Sequence, residues 1–145
     1  MTRISVQRDT FDPGLELTRL EALGSGAVAR FTGLVRDDGG LTELTLEHYP
    51  GMTEAALNTL ADVANARWAL DGVTIIHRVG AMKSGERIVF VGTASPHRAA
   101  ALEACSFLID RLKTDAPFWK QEHFADGRTI WVEPRASDDV AAARW

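Results

Sequence analysis

The chain has 145 residues, 46% hydrophobic and 25% charged, with a formal net charge of −4, which fits one globular domain spanning residues 1–145. The acidic balance argues against a nucleic-acid partner, which needs a basic surface, and no apolar run approaches the roughly 18 residues of a membrane helix. A single cysteine, Cys105, and four histidines without ligand-pair spacing (His48, His77, His97 and His123) point to no internal disulfide, no metal and no cofactor. The first residues also lack the apolar stretch of a signal peptide, so a cytoplasmic protein is the expectation.

In chain order, residues 4–7 read as a short strand. Asp12-Pro13 then supplies an N-cap and a first-turn proline for a helix carrying Leu17, Leu20 and Leu23, with Gly24 as its stop. Residues 26–36 are strand-like, and Gly33 within them suggests a bulge or a close backbone approach. Asp37-Asp38-Gly39-Gly40 is a turn signal before a strand over 41–49, so these two runs are expected to pair as a hairpin. Pro50-Gly51 turns the chain, and Thr53 is expected to cap a helix bearing Leu57, Leu60, Ala61, Ala64 and Trp68. Residues 73–79 and 86–92 read as a second hairpin. Ser95-Pro96 predicts the cap and first turn of a long helix to about Thr114, with an apolar stripe of Leu102, Cys105, Ile109 and Leu112. Residues 118–124 and 129–133 predict a third hairpin, and the tail from Ser137 a short helical turn. Tight turns between paired strands require antiparallel neighbours, so the predicted class is α+β, a mostly antiparallel sheet with helices packed on it.

Chemistry concentrates around Pro117. Lys113 and Lys120 bracket this proline, with Phe118-Trp119 between them. A proline break lets two such lysines converge on a pocket from different elements; an arbitrary lysine pair is ordinarily solvated surface. His97-Arg98 in the first turn of the long helix suits an anion, and Arg36 closes a strand at a turn. His48 and His77 lie on apolar strand faces and read as satisfied core histidines. Cys105 reads as inert packing. One difficulty stands out: the ends of the long helix are ~25 Å apart, too far for one small ligand to span within a single chain.

The residues resemble the large, catalytic subunit family of molybdopterin synthase over essentially the whole length. The matching stretches include Phe31-Thr32-Gly33, Val35-Arg36, Leu46-Glu47-His48-Tyr49-Pro50-Gly51, Ile76-His77-Arg78-Val79-Gly80, His97-Arg98, Leu112-Lys113-Thr114, Ala116-Pro117-Phe118-Trp119-Lys120 and Trp131-Val132-Glu133. That resemblance implies an α/β hammerhead and a sulfurtransferase of molybdenum cofactor biosynthesis. Its substrate would be cyclic pyranopterin monophosphate, converted to molybdopterin by insertion of two sulfurs. The sulfur donor would be the C-terminal Gly-Gly thiocarboxylate of a small ubiquitin-like carrier subunit, and the assembly a heterotetramer built on a homodimer of large subunits. By position, Lys113 and Lys120 match the catalytic lysines, while Arg36, His97 and Arg98 match substrate-binding positions. Their neighbours Leu34, Val35, Gln121 and Glu122 complete the implied substrate-binding set. Leu34 and Gln121 stand where the family often has a lysine and an arginine, which removes positive charge near the substrate. The family also implies that a neighbouring large subunit completes the site, which would answer the distance difficulty. The competing reading from another class is a non-catalytic scaffold that binds the partner's tail.

Overall fold

The computed structural model describes residues 1–132 and 136–145. In chain order its elements are β1 (Thr2–Gln7), α1 (Pro13–Glu21), β2 (Ala27–Leu34), β3 (Leu41–His48), α2 (Met52–Arg67) and β4 (Gly72–Arg78). They continue with β5 (Gly80–Lys83), β6 (Arg87–Ser95), α3 (Arg98–Asp115), β7 (Phe118–Phe124), β8 (Thr129–Trp131) and α4 (Ala136–Ala143). The strands form two four-stranded sheets, β1-β4-β6-β2 and β5-β3-β7-β8. Among the described residues only β1 with β4 is parallel; the other pairs are antiparallel, as the α+β reading expects.

Helices cover both faces of the first sheet, which is why every residue of β4 is buried. On one face Ile75, Val89 and Val91 pack with Leu57 of α2 and Cys105, Phe107 and Leu108 of α3. On the other, Ile76 and Phe90 pack with Leu20 of α1 and with Phe11. Burial at this scale contributes roughly 1.5–3 kcal/mol per large side chain, and the second sheet has a smaller core of its own in Val35, Leu41, Leu44, Leu46 and Met82.

The expected cap forms at α1. Asp12 Oδ1 accepts from the Gly14 and Leu15 amides at 2.9 and 3.3 Å, satisfying two otherwise unpaired donors at the start of α1. Thr53, however, does not cap α2. Gly51, at φ 85°, is the cap residue, and its amide donates to Glu54 Oε1 at 3.2 Å. Thr53 is wholly buried as the second residue of α2, where Oγ1 accepts from the Tyr49 amide at 3.1 Å and donates to Pro117 O at 3.0 Å. The long helix likewise starts later than expected. His97 is its cap, and Ser95 is the last residue of β6, its hydroxyl accepting from the His97 amide at 3.1 Å and donating to Ala69 O at 2.7 Å.

Three expectations are corrected by pairing and burial. The runs over 26–36 and 41–49 do not form a hairpin: β2 pairs with β6 in the first sheet, and β3 with β5 and β7 in the second. The turn at Asp37–Gly40 therefore carries the chain between sheets. The expected pairing of 73–79 with 86–92 holds as β4 with β6, yet it is no tight hairpin, because β5 leaves between them to join β3. Leu102 is 59% exposed; the buried line of α3 is Ala101, Ala104, Cys105, Leu108 and Leu112 with Phe107, so small alanines meet the sheet where a leucine was expected. The β7–β8 hairpin forms as read, although Glu133 lies outside the described residues. The tail forms a helix that already includes Ala136, ahead of the expected Ser137 cap.

Candidate active site

Lys113 stands in the last turn of α3, where a cation complements the negative end of the helix dipole. Ala116 leaves the helix in an extended conformation, Pro117 follows, and β7 begins at Phe118. Strand alternation then sets Phe118, Lys120 and Glu122 on one face of β7 and Trp119, Gln121 and His123 on the other. Pairing with β3 fixes this register, with Phe118 opposite His48, Lys120 opposite Leu46 and Glu122 opposite Leu44.

The segment after β2 approaches that first face. The Val35 amide donates to Glu86 O at 2.8 Å and Val35 O accepts from the Gly85 amide at 2.9 Å, so the backbone next to Arg36 is held in place. At the neighbouring bulge a Cβ on Gly33 would lie 2.7 Å from Val89 Cγ1, which explains the glycine. The result is a cleft of about 330 Å³ bordered by Leu34, Val35, Arg36, Lys113, Lys120 and Glu122, with Ile88 and Phe118 as apolar wall. Arg36 Nη2 donates to Glu122 Oε2 at 3.4 Å, and the Arg36 side chain stays half exposed. Three cations, Arg36, Lys113 and Lys120, and two carboxylates, Glu122 and Asp138, line the cleft, and Asp38 Oδ1 reaches Arg36 Nε at 4.0 Å from outside it.

Six of the nine predicted site residues therefore share one cleft. Gln121 does not, because it lies on the opposite face of β7, between Thr45 and Trp131. His97 and Arg98 are exposed at the start of α3, and its 18 residues put them ~27 Å from its end. Asp138 and Ile88 line the cleft without having been singled out. Nothing local marks Asp138, since only the packing of α4 against α3 carries it there.

Beneath the cleft lies His77. Its ring stacks on that of Phe118, centroids 3.9 Å apart with 21° between the planes, and its Nδ1 bonds Arg78 O at 2.9 Å. Burial, together with the nearby charges of Lys113 and Lys120, pushes its pKa down to about 3 despite that bond, so the ring is neutral at physiological pH. Cys105 is buried, with Sγ 3.8 Å from Val91 O, and burial pushes its thiol up to about 11. It has neither the access nor the ionisation of a nucleophile.

Among the described residues no set of histidine, cysteine and carboxylate side chains is placed to hold a metal ion, and no helix is long and apolar enough to cross a membrane. A family profile described as MoaE protein matches residues 6–115. The chain is 54% identical to the molybdopterin synthase catalytic subunit of Pseudomonas aeruginosa, over 98% of this chain and 97% of that protein. It is 50% identical to the subunit of the same name from Escherichia coli, over 99% and 98%. Its fold is similar to that of the molybdopterin biosynthesis MoaE protein from Burkholderia ambifaria, with a TM-score of 0.86, 46% identity and coverage of 100% of this chain and 98% of that one.

Proposed function

This chain belongs to the MoaE protein family, and on that premise we propose that it is the catalytic subunit of a molybdopterin synthase. It converts cyclic pyranopterin monophosphate to molybdopterin, taking two sulfurs, one from each of two thiocarboxylated tails of a small ubiquitin-like carrier subunit. The observation that carries this reading is the shared cleft of Arg36, Lys113 and Lys120 in a chain of net charge −4. A phosphorylated substrate and an anionic thiocarboxylate both need local cations.

Lys113 sits beside the incoming tail's terminus and assists acyl and proton transfer at the thiocarboxylate. Lys120 polarises the pterin-side oxygens, and Arg36 holds the phosphate, with Glu122 fixing its orientation. The only thiol in the chain is Cys105, which is buried and un-ionised, so the sulfur comes from outside. His97 and Arg98 act from a second large subunit, because their own lie a helix length away.

The test is reconstitution of the purified chain with thiocarboxylated carrier and pyranopterin substrate, read as product mass. A gain corresponding to two sulfurs supports the synthase; tail binding without turnover supports a scaffold instead. Lys113→Ala is expected to lower product formation about 10²–10⁴-fold, the range for losing a positioned proton-transfer group. Full product formation by that variant would remove Lys113 from the role given to it.

A further inference from the structure

The α3–β7 joint carries Lys113 on one side and Lys120 on the other, so whatever fixes the joint fixes the spacing of the two lysines. Two side chains hold it from behind. Thr53 Oγ1 donates to Pro117 O at 3.0 Å, and the His77 ring lies flat against Phe118, the residue that opens β7 and walls the cleft. His77 belongs to β4 in the first sheet and Phe118 to β7 in the second, so this stack is a rigid contact between the sheets beneath the lysines.

His77 is itself immobilised. It is 3% exposed, its Nδ1 is bonded to Arg78 O, and the Arg78 guanidinium donates twice to Arg8 O, at 2.8 and 3.1 Å, and to Glu86 Oε1 at 3.1 Å. The charged and titratable groups around the ring are Lys113 from α3, Lys120 from β7, His48 from β3 and Arg78 on its own strand. A flat, uncharged ring satisfies this place, because a third cation beneath the two lysines would repel them and an aliphatic side chain would not fix the plane of Phe118.

We propose that His77 is a positioning residue for Lys113 and Lys120, acting through its stack on Phe118. The proposal rests on the functional reading above only for its kinetic readout. It gives the histidine of the Ile76-His77-Arg78 stretch a task beyond core packing, although it touches neither substrate nor tail.

The experiment compares wild type with His77→Ala, His77→Phe and Phe118→Leu, each checked for folding by its thermal transition. One readout is kcat and KM in the reconstituted reaction; the other is the acetylation rate of Lys113 and Lys120 by trace acetic anhydride, read by peptide mass. His77→Ala and Phe118→Leu are expected to lower kcat about 10–100-fold, with KM changed less than about threefold, the signature of misplaced rather than missing groups. Both variants should also shift lysine acetylation, while His77→Phe, which keeps a flat neutral ring, recovers most of both readouts. Wild-type kcat and acetylation in folded His77→Ala would overturn the proposal, as would a His77→Phe no better than His77→Ala. Should His77→Ala fail to fold, Phe118→Leu and His77→Phe decide: the proposal stands if the first shifts both readouts and the second keeps them, and falls otherwise. If wild type forms no product, the functional reading fails, while the acetylation comparison still tests the positioning role.

Discussion

At the scale of the residue, His77 couples the candidate site to the stability of the fold. Its pKa falls from 6.5 to about 3 on folding, chiefly through burial, with Lys113, Lys120 and His48 adding to the effect and the bond to Arg78 O opposing it. The unfolded chain therefore binds more protons than the folded one between these two values. Stability from this group is complete above pH 6.5 and is lost as the pH falls toward 3. Between pH 7 and pH 4.5 the linkage is worth about 2–3 kcal/mol. Urea denaturation at the two pH values is expected to show that loss in wild type and a smaller one in His77→Phe, the difference between the two proteins isolating the histidine from other acid-sensitive groups. Equal losses would show that His77 is not the group responsible. Its identity as a core histidine was legible in the sequence, from its place on an apolar strand face. The stack on Phe118 was not, because residues 41 positions apart come together only once two sheets are mounted on one another.

At the scale of the element, periodicity and turn chemistry located nearly every strand and helix, and they failed where the choice of partner decides. Residues 26–36 and 41–49 each look like a strand joined by a turn, and nothing in their alternation says that they enter different sheets. The four-residue β5 hid inside what reads as a hairpin connection, since a strand so short shows little period. Thr53 and Ser95 are capping residue types that lie two positions from the caps, Gly51 and His97, their hydroxyls donating to tertiary carbonyls. Thr53 is the more informative, because it ties the Tyr49 amide to Pro117 O, and so the start of α2 to the joint between the lysines. Thr53→Val preserves volume but removes both bonds at a wholly buried position. It is expected to cost about 1–3 kcal/mol, most of it from the polar groups left unsatisfied. Thr53→Ser, which keeps the hydroxyl, is expected to cost less, and thermal or urea unfolding of the pair distinguishes a bonding role from simple packing.

At the scale of the whole molecule, the predicted site cations are split between the two ends of α3. Arg36, Lys113 and Lys120 gather at one end, and His97 and Arg98 stand exposed at the other, ~27 Å away. The sequence disclosed that split through nothing more than helix rise, and folding leaves it in place, because a single α-helix cannot bring its own ends together. If both groups serve one substrate, each chain must lend its His97 and Arg98 to the cleft of a neighbour. A two-fold assembly does this reciprocally, producing two equivalent composite sites. The arrangement makes a quantitative prediction that a site confined to one chain does not. Lys120→Ala and Arg98→Ala would each be inactive as homodimers. After equal mixing and subunit exchange, half of the dimers are mixed. Each mixed dimer contains one site with both substitutions and one with neither, so activity should return to about a quarter of wild type. Were the site confined to one chain, both kinds of chain would remain inactive after exchange and mixing would restore nothing. Product formation before and after exchange, with dimer composition followed by native mass spectrometry, therefore separates a composite site from a self-contained one.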